Sequence, residues 1–357
     1  MSSETQFHKA FKLQGESFNS PKDIITFSKS ISLEVYNFFI EWFNTSSFIE
    51  VNTSGSTGTP KLIQLQKAYM VNSAKATGDF FDLREGTKAL LCMSANFIAG
   101  KMMLVRALTL GWHLDVVEVN SNPLKNISKT YDFCAMVPLQ LHNSLTEVYK
   151  VKQLIVGGGV VSKELLDKIQ DIDTAVYATY GMTETVTHIA IKKLNNSEQS
   201  TLGSETYYNT LPNIKLGKDS RGCLVIDAPK ISSEIILTND LVDLISENQF
   251  KWLGRFDSVI NSGGIKLIPE QIEEKLSKII DQRFFLAGIK DDALGEKLIL
   301  ILEGQVDETI LTQIKNLKTL SKFEIPKNCY FIPNFVETET KKINRIATLN
   351  VLTKNFN

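Results

Sequence analysis

Between residues 65 and 170, segments of helical periodicity alternate with short apolar runs, and this constrains the fold of the 357-residue chain more than any other feature. Helices are expected near 65–82, 98–110, 138–149 and 162–170, with strands at 88–93, 114–119, 132–137 and 153–156. Such alternation argues for a layered α/β domain. Ahead of it, Leu33, Val35, Tyr36, Phe38, Phe39 and Trp42 make the stretch 31–43 more apolar than one amphipathic face needs, so a well-buried helix is expected there. Phe48 to Val51 then reads as a strand. From 207 to 253 the pattern changes to short runs such as Cys223 to Ile226 and Glu234 to Leu237, separated by Gly, Pro, Asn and Asp, which suggests a mainly β subregion. After Gly254 come a Gly263-Gly264 loop, a helix opened by Pro269, strands near 283–289 and 297–302, a helix near 307–318 and a strand near 329–332. The expected organisation is a large α/β domain over 1–253 with a β-rich subregion, followed by a small, mobile α+β domain over 254–357. At roughly 100 to 200 residues per domain, two domains also suit the length.

Composition narrows the function. Lys plus Arg number 39 against 40 Asp plus Glu, a net charge of -1, so no broad basic field exists to hold a nucleic-acid backbone. The 43% hydrophobic and 22% charged fractions are those of a globular chain. Cys92, Cys134, Cys223 and Cys329 are scattered without zinc-ligand spacing, and the N-terminus lacks a signal peptide's apolar core, so a cytoplasmic location is expected. The most apolar stretch, Ala89 to Trp112, is interrupted by Asn96, Lys101 and Arg106 and is too polar for a membrane span.

Chemistry concentrates in loops. Thr53-Ser54-Gly55-Ser56-Thr57-Gly58-Thr59-Pro60-Lys61 offers five hydroxyls, two glycines and a terminal lysine, a composition suited to cradling phosphates. It is not a Walker A loop, because Pro60 precedes the lysine and Leu62 follows it. Tyr180 has a π face suited to stacking a base, Thr183 a hydroxyl for a phosphate oxygen, and Glu184 a hard oxygen for Mg2+. Asp240 can accept from two ribose hydroxyls, with Asp243 nearby as its rival, and Arg255 carries a planar fork for ribose or phosphate oxygens.

The 53–61 loop resembles the phosphate loop of the adenylate-forming superfamily, which includes acyl- and aryl-CoA ligases, luciferases and peptide-synthetase adenylation domains. Further stretches follow in that family's order: Gly157-Gly158-Gly159, Tyr180-Gly181-Met182-Thr183-Glu184, Thr238-Asn239-Asp240, Gly254-Arg255-Phe256-Asp257, and the closing Thr338-Glu339-Thr340-Lys341-Lys342-Ile343-Asn344-Arg345. The resemblance implies the adenylate-forming fold, N-terminally reduced, since only about fifty residues precede the loop. It also implies ATP and Mg2+ as cofactors. Thr53, Ser54, Gly55, Ser56, Thr57, Gly58, Lys61, Gly157, Gly158, Tyr180, Gly181, Met182, Asp240 and Arg255 would hold ATP or AMP, and Glu184 the metal. Lys342, Thr183 and Glu184 would be catalytic, with Lys341 as fallback for Lys342, and residues 254–258 would hinge the small domain at Asp257. Two departures stand out: Asn239 replaces a glycine in the family's T-G-D, and Lys341 replaces one in its G-K-I-x-R.

The implied reaction has two steps, attack of a carboxylate on the α-phosphorus of ATP and then thiol attack on the acyl-adenylate. The segment Ser262 to Ile265 resembles the pantetheine-lining stretch of CoA ligases, which assigns Gly263 and Gly264 to CoA as co-substrate. Ser94 to Met103 stands where the family gates its acyl pocket, so Asn96, Phe97, Gly100 and Lys101, with His188, are expected at the acid. The compact length and this segment are similar to the o-succinylbenzoate:CoA ligases of menaquinone synthesis. A dicarboxylate needs a cation for its unreacted carboxylate, and either Lys101 or Arg106 can supply it. The alternatives are an aryl or medium-chain acid:CoA ligase, or a nucleotide-binding protein with degenerate catalysis. Partners are expected to be small molecules, with a homodimer possible and the short N-terminus a place for a partner chain to complete the pocket.

Overall fold

The computed structural model describes residues 7–52, 62–195, 207–306, 309–338 and 343–354. The alternating segment folds as expected: helices Lys67–Phe81, Ile98–Leu110, Pro138–Asn143 and Lys163–Lys168 connect strands Lys88–Leu91, His113–Val116, Tyr131–Met136, Val151–Val156 and Ala175–Gly181. These five strands are mutually parallel, with His113–Val116 outermost of the five, then Lys88–Leu91, Tyr131–Met136, Val151–Val156 and Ala175–Gly181. Each crossover helix covers a sheet face, so the strands are buried on both sides and form near-continuous apolar runs such as Leu154, Ile155 and Val156.

The β-rich stretch is no separate layer. His188–Lys193, Tyr208–Thr210, Gln249–Arg255, Ile236–Ser246, Cys223–Asp227 and Lys215–Lys218 add antiparallel to the Ala175–Gly181 edge, and with the short strands Lys12–Leu13 and Glu16–Ser17 beyond His113–Val116 they bring one sheet to 13 strands. A separate hairpin, Phe48–Asn52 with Leu62–Gln66, flanks residues 53–61. Beyond Arg255 the chain enters a second sheet of five strands, Ile260–Ser262, Ile265–Leu267, Phe284–Asp291, Gly295–Glu303 and Asn328–Ile332. Helices Pro269–Leu276 and Ile310–Lys315 share the core of this sheet through Ile272, Leu276, Ile310 and Ile314.

The helix Leu33–Phe43 corrects one expectation. Ser32 caps it, its side chain accepting from the backbone of Val35, and Val35, Phe38, Phe39 and Trp42 are buried at i, i+3, i+4 and i+7. Leu33 and Ile40, 71% and 42% exposed, lie outside that stripe, so the helix buries one face and is not enclosed. No helix among the described residues is long and apolar enough to cross a membrane.

Candidate active site

Three loops leave the C-terminal ends of strands in the parallel part of the sheet. Residues 94–97 follow Lys88–Leu91, Gly157 and Gly158 follow Val151–Val156, and Met182 to Glu184 follow Ala175–Gly181. This edge is where open α/β sheets bind ligands. Close approach limits its glycines: a Cβ on Gly181 would lie 2.3 Å from the backbone carbonyl oxygen of Thr187, and one on Gly157 2.5 Å from the side-chain Oγ1 of Thr179. Gly158 has φ +78°. After the short helical turn Thr183–Thr185, Val186 takes φ +66° and is fully buried, with the Thr187 N–H bonded to the Thr185 carbonyl at 2.7 Å. A β-branched residue in such a γ-turn is strained, and strain of this kind clusters at functional sites.

The expected nucleotide residues come together from distant strands. The Tyr180 hydroxyl donates to Asp240 Oδ2 at 2.6 Å, and Trp252 Nε1 donates to Oδ1 at 3.0 Å. The Tyr180 ring stands edge-on to Phe250 at 5.0 Å and tilted to Tyr208 at 5.9 Å. Burial, with the Asp240 charge second, pushes the Tyr180 phenol far above its usual range, so it remains a donor. Asp240 is buried at this junction, whereas Asp243 is exposed. Arg255, opposite Asp240 in the strand pairing, makes a two-bond fork to Asp257 (3.0 and 2.9 Å) and reaches Asp240 at 3.9 Å. Asn239 has no positive φ, and its side chain accepts from Arg221 at 2.9 Å, so the departure from glycine leaves the backbone next to Asp240 unstrained.

Thr183 is half-buried, and Glu184 is exposed with no ion pair among the described residues. A single carboxylate beside phosphate oxygens matches what Mg2+ asks of a protein, so Glu184 fits the metal by its donor chemistry. Gly263 and Gly264, φ +58° and +83°, form the two-residue turn between Ile260–Ser262 and Ile265–Leu267, a conformation that favours glycine at both positions. The loop 53–61, with Thr53, Ser54, Gly55, Ser56, Thr57, Gly58 and Lys61, lies outside the described residues, as do Lys341 and Lys342.

On the acid side the structure separates the expected residues. Lys101 is not free to meet a substrate: its Nζ donates to Glu41 Oε2 at 2.8 Å and to the Glu50 carbonyl at 3.4 Å. A buried ammonium needs an anion, and Glu41 is that anion. Asn96 is likewise engaged, donating to Glu34 Oε1 at 2.8 Å, while Phe97 is 40% exposed. Gly100 is buried where a Cβ would lie 2.1 Å from the carbonyl oxygen of Ser94.

Arg106 is different. It is 2% exposed, and its Nε donates to Thr77 Oγ1 (3.3 Å), its Nη1 to Met103 Sδ (3.8 Å) and its Nη2 to His188 Nδ1 (3.4 Å). Thr77 gives its own proton to the Ser73 carbonyl, so its oxygen accepts from His188 Nε2 at 3.2 Å, and the histidine is neutral with Nδ1 bare. Burial and the neighbouring guanidinium hold His188 well below the ordinary histidine range. Burial alone pushes Arg106 down to about 9, and no carboxylate among the described residues pairs with it. Thr77, Trp252 and Glu34 carried no sequence signal, because each gains its role from a residue far away in the chain.

The family model described as "AMP-binding enzyme" matches residues 51–224. An acyl-CoA synthetase (AMP-forming)/AMP-acid ligase II-like protein from Dyadobacter fermentans is 39% identical over 89% of this chain and 93% of its own, with a TM-score of 0.59. The chain belongs to the AMP-binding enzyme family. As an AMP-binding enzyme it stands among the AMP-forming acid:CoA ligases. It is also 25% identical to a 2-succinylbenzoate–CoA ligase from Bacillus cereus (strain ZK / E33L), over 92% of this chain and 73% of the relative. The fold is shared with O-succinylbenzoate coenzyme A synthetase from Bacillus subtilis, solved with ATP and a magnesium ion, at a TM-score of 0.72 and 19% identity over 93% of this chain and 82% of the other. The adenylate-forming fold read from the sequence is therefore the fold of this AMP-binding enzyme.

Proposed function

We propose that this enzyme activates a dicarboxylic aryl acid, o-succinylbenzoate, as its acyl-adenylate and transfers the acyl group to CoA. The observation carrying the substrate is Arg106, a buried guanidinium with no anionic partner among the described residues, six positions along the helix from Gly100. An unpaired buried cation costs stability, and a substrate carboxylate that binds it bidentately recovers that cost. Its neighbours Thr77 and His188 contribute no negative charge, so the spare carboxylate would face no local repulsion from them. Relatives named for succinylbenzoate support the reading.

In the first step the reacting carboxylate oxygen bonds to the α-phosphorus, the bond to the β-phosphate bridging oxygen breaks, and pyrophosphate leaves. In the second, the CoA sulfur bonds to the acyl carbon, AMP leaves, and the thiol proton goes to solvent. Tyr180, Asp240 and Arg255 would hold the nucleoside, the 53–61 loop the outer phosphates, and Lys342 the charge gathering on the α-phosphate. Mg2+, held by Glu184, would supply charge neutralisation at the phosphates. His188 serves as no general base in this scheme, since Arg106 occupies its lone pair. Residues 1–253 would form the catalytic body and 254–357 a small domain turning about 254–258, bringing Gly263 and Gly264 to CoA, in the cytoplasm.

Purified protein given ATP, Mg2+, o-succinylbenzoate and CoA is expected to release AMP and pyrophosphate in step with thioester, with benzoate used poorly. Stoichiometric ADP would remove the ligase reading, whereas equal use of benzoate would remove only the dicarboxylate.

A further inference from the structure

We propose that the helix Leu33–Phe43 is a two-armed bracket that positions the nucleotide side and the acid side of the site separately, through Glu41 with Lys101 and through Glu34. The two glutamates lie seven residues apart, two turns along one face. Glu41 faces the hairpin. Its Oε1 accepts the Glu50 N–H at 2.8 Å, its Oε2 accepts Lys101 Nζ at 2.8 Å, and the same ammonium donates to the Glu50 carbonyl. Glu50 thus has both backbone polar groups taken by this ion pair, on the edge of Phe48–Asn52 that faces away from its partner Leu62–Gln66.

A two-stranded hairpin is marginal by itself, so its orientation depends on such clamps. The 53–61 loop leaves the hairpin three residues after Glu50 and returns into its second strand. Lys101 sits in the buried helix Ile98–Leu110 and is itself about a tenth exposed, which makes it a firm anchor. At the far end Lys67 donates to Asn44 Oδ1 at 2.9 Å, so the hairpin is tied at its base as well.

Glu34 makes the second arm. Its Oε2 accepts from Ser94 Oγ at 2.8 Å and from the Ala95 N–H at 2.9 Å, and its Oε1 accepts from Asn96 Nδ2 at 2.8 Å. Three charge-assisted bonds fix the turn before the helix that carries Arg106. Lys101 and Glu34 are positioning residues that touch no substrate.

The inference rests on the 53–61 loop taking phosphates and on residues 94–97 bordering the acid, and its test uses separate Michaelis constants. Lys101→Met and Glu41→Gln should each raise the KM for ATP about tenfold while moving that for the acid by less than about twofold. Glu34→Gln should do the reverse. Lys101→Arg, which keeps a donor and a charge, should restore the ATP constant. ATP affinity by calorimetry reads the nucleotide arm even in a protein that turns over no tested acid, so loss of the substrate reading and loss of the bracket are told apart. Should Lys101→Met fail to fold, Glu41→Gln carries the same arm with little change of volume. Parallel changes of both constants, a fall in melting temperature without the crossed pattern, or unweakened ATP affinity in Glu41→Gln would overturn it.

Discussion

At the scale of single residues the two cations of one helix have opposite fates. In the sequence Lys101 is the first candidate for a carboxylate anchor and Arg106 its fallback, because each interrupts an apolar run and asks for an anion. The anion for Lys101 is Glu41, sixty residues away, and no local pattern announces it. Arg106 keeps the question open. Arg106→Met should lower kcat/KM for o-succinylbenzoate by about 10² or more, the effect of losing roughly 3 kcal/mol of a buried charge pair, and leave the KM for ATP unmoved. Urea unfolding should show no loss of stability, since replacing an unpaired buried charge by an apolar side chain removes a cost. Its charge also sets a pH limit. A guanidinium lowered to about 9 in the fold, below its ordinary range in the unfolded chain, subtracts stability at neutral pH, and that cost fades as pH rises above about 9 toward the ordinary guanidinium range. Acid capture runs the other way: kcat/KM for the dicarboxylate should decline as pH passes about 9, without a parallel decline in Arg106→Met.

At the scale of elements, legibility followed the range of the forces. The helices Lys67–Phe81 and Ile98–Leu110 and the strands between them were readable because apolar period and Gly punctuation are local. That the 207–253 strands continue the same sheet was not readable, since register between Tyr208–Thr210 and Gln249–Arg255 is set across forty residues. For Leu33–Phe43, apolar content predicted burial on all sides, yet burial depends on which neighbours exist, and the described residues leave Leu33 and Ile40 exposed. In the site, the short-range spacing of Tyr180, Thr183 and Glu184 was legible, whereas the Tyr180–Asp240–Trp252 junction required the fold. The start of Ile98–Leu110 is the least forgiving of these elements. Gly100→Ala must push the helix away from the backbone at Ser94, because an added Cβ meets that carbonyl at 2.1 Å. A cost of about 1 to 3 kcal/mol in urea unfolding is expected, together with a fall in acid turnover as Arg106 is displaced.

At the scale of the whole molecule the two sheets meet where helix Pro269–Leu276 crosses the end of strand Gln249–Arg255. Gly254 has φ +151°, and a Cβ there would lie 2.5 Å from both Glu270 Oε2 and Ile268 Cγ2, so glycine permits the contact. The contact buries Oε2 of the half-buried Glu270, which has no hydrogen-bond partner among the described residues. Desolvation raises its carboxyl above the usual range. Ser258 and Arg345 oppose that shift and Glu273 adds to it, although Arg345 is already committed to a two-bond pair with Glu273 at 2.9 and 2.8 Å. An acid raised in the fold binds its proton more tightly there than in the unfolded chain, so its contribution is most favourable at low pH and becomes a cost as pH rises through the folded value. Glu270→Gln should therefore stabilise the protein at pH 7 by on the order of 1 kcal/mol, and the gain should shrink as pH falls toward the ordinary carboxylate range. The same cost bears on motion. If residues 260–354 turn about 254–258 as proposed, leaving Gly254 returns Glu270 to water, so the ionised carboxylate favours departure from the arrangement seen here. Glu270→Gln should then slow whichever half-reaction requires that departure, which single-turnover adenylation and thioester formation measured separately would resolve; equal rates for both steps in the variant and the parent, across pH 5 to 8, would confine the role of Glu270 to stability.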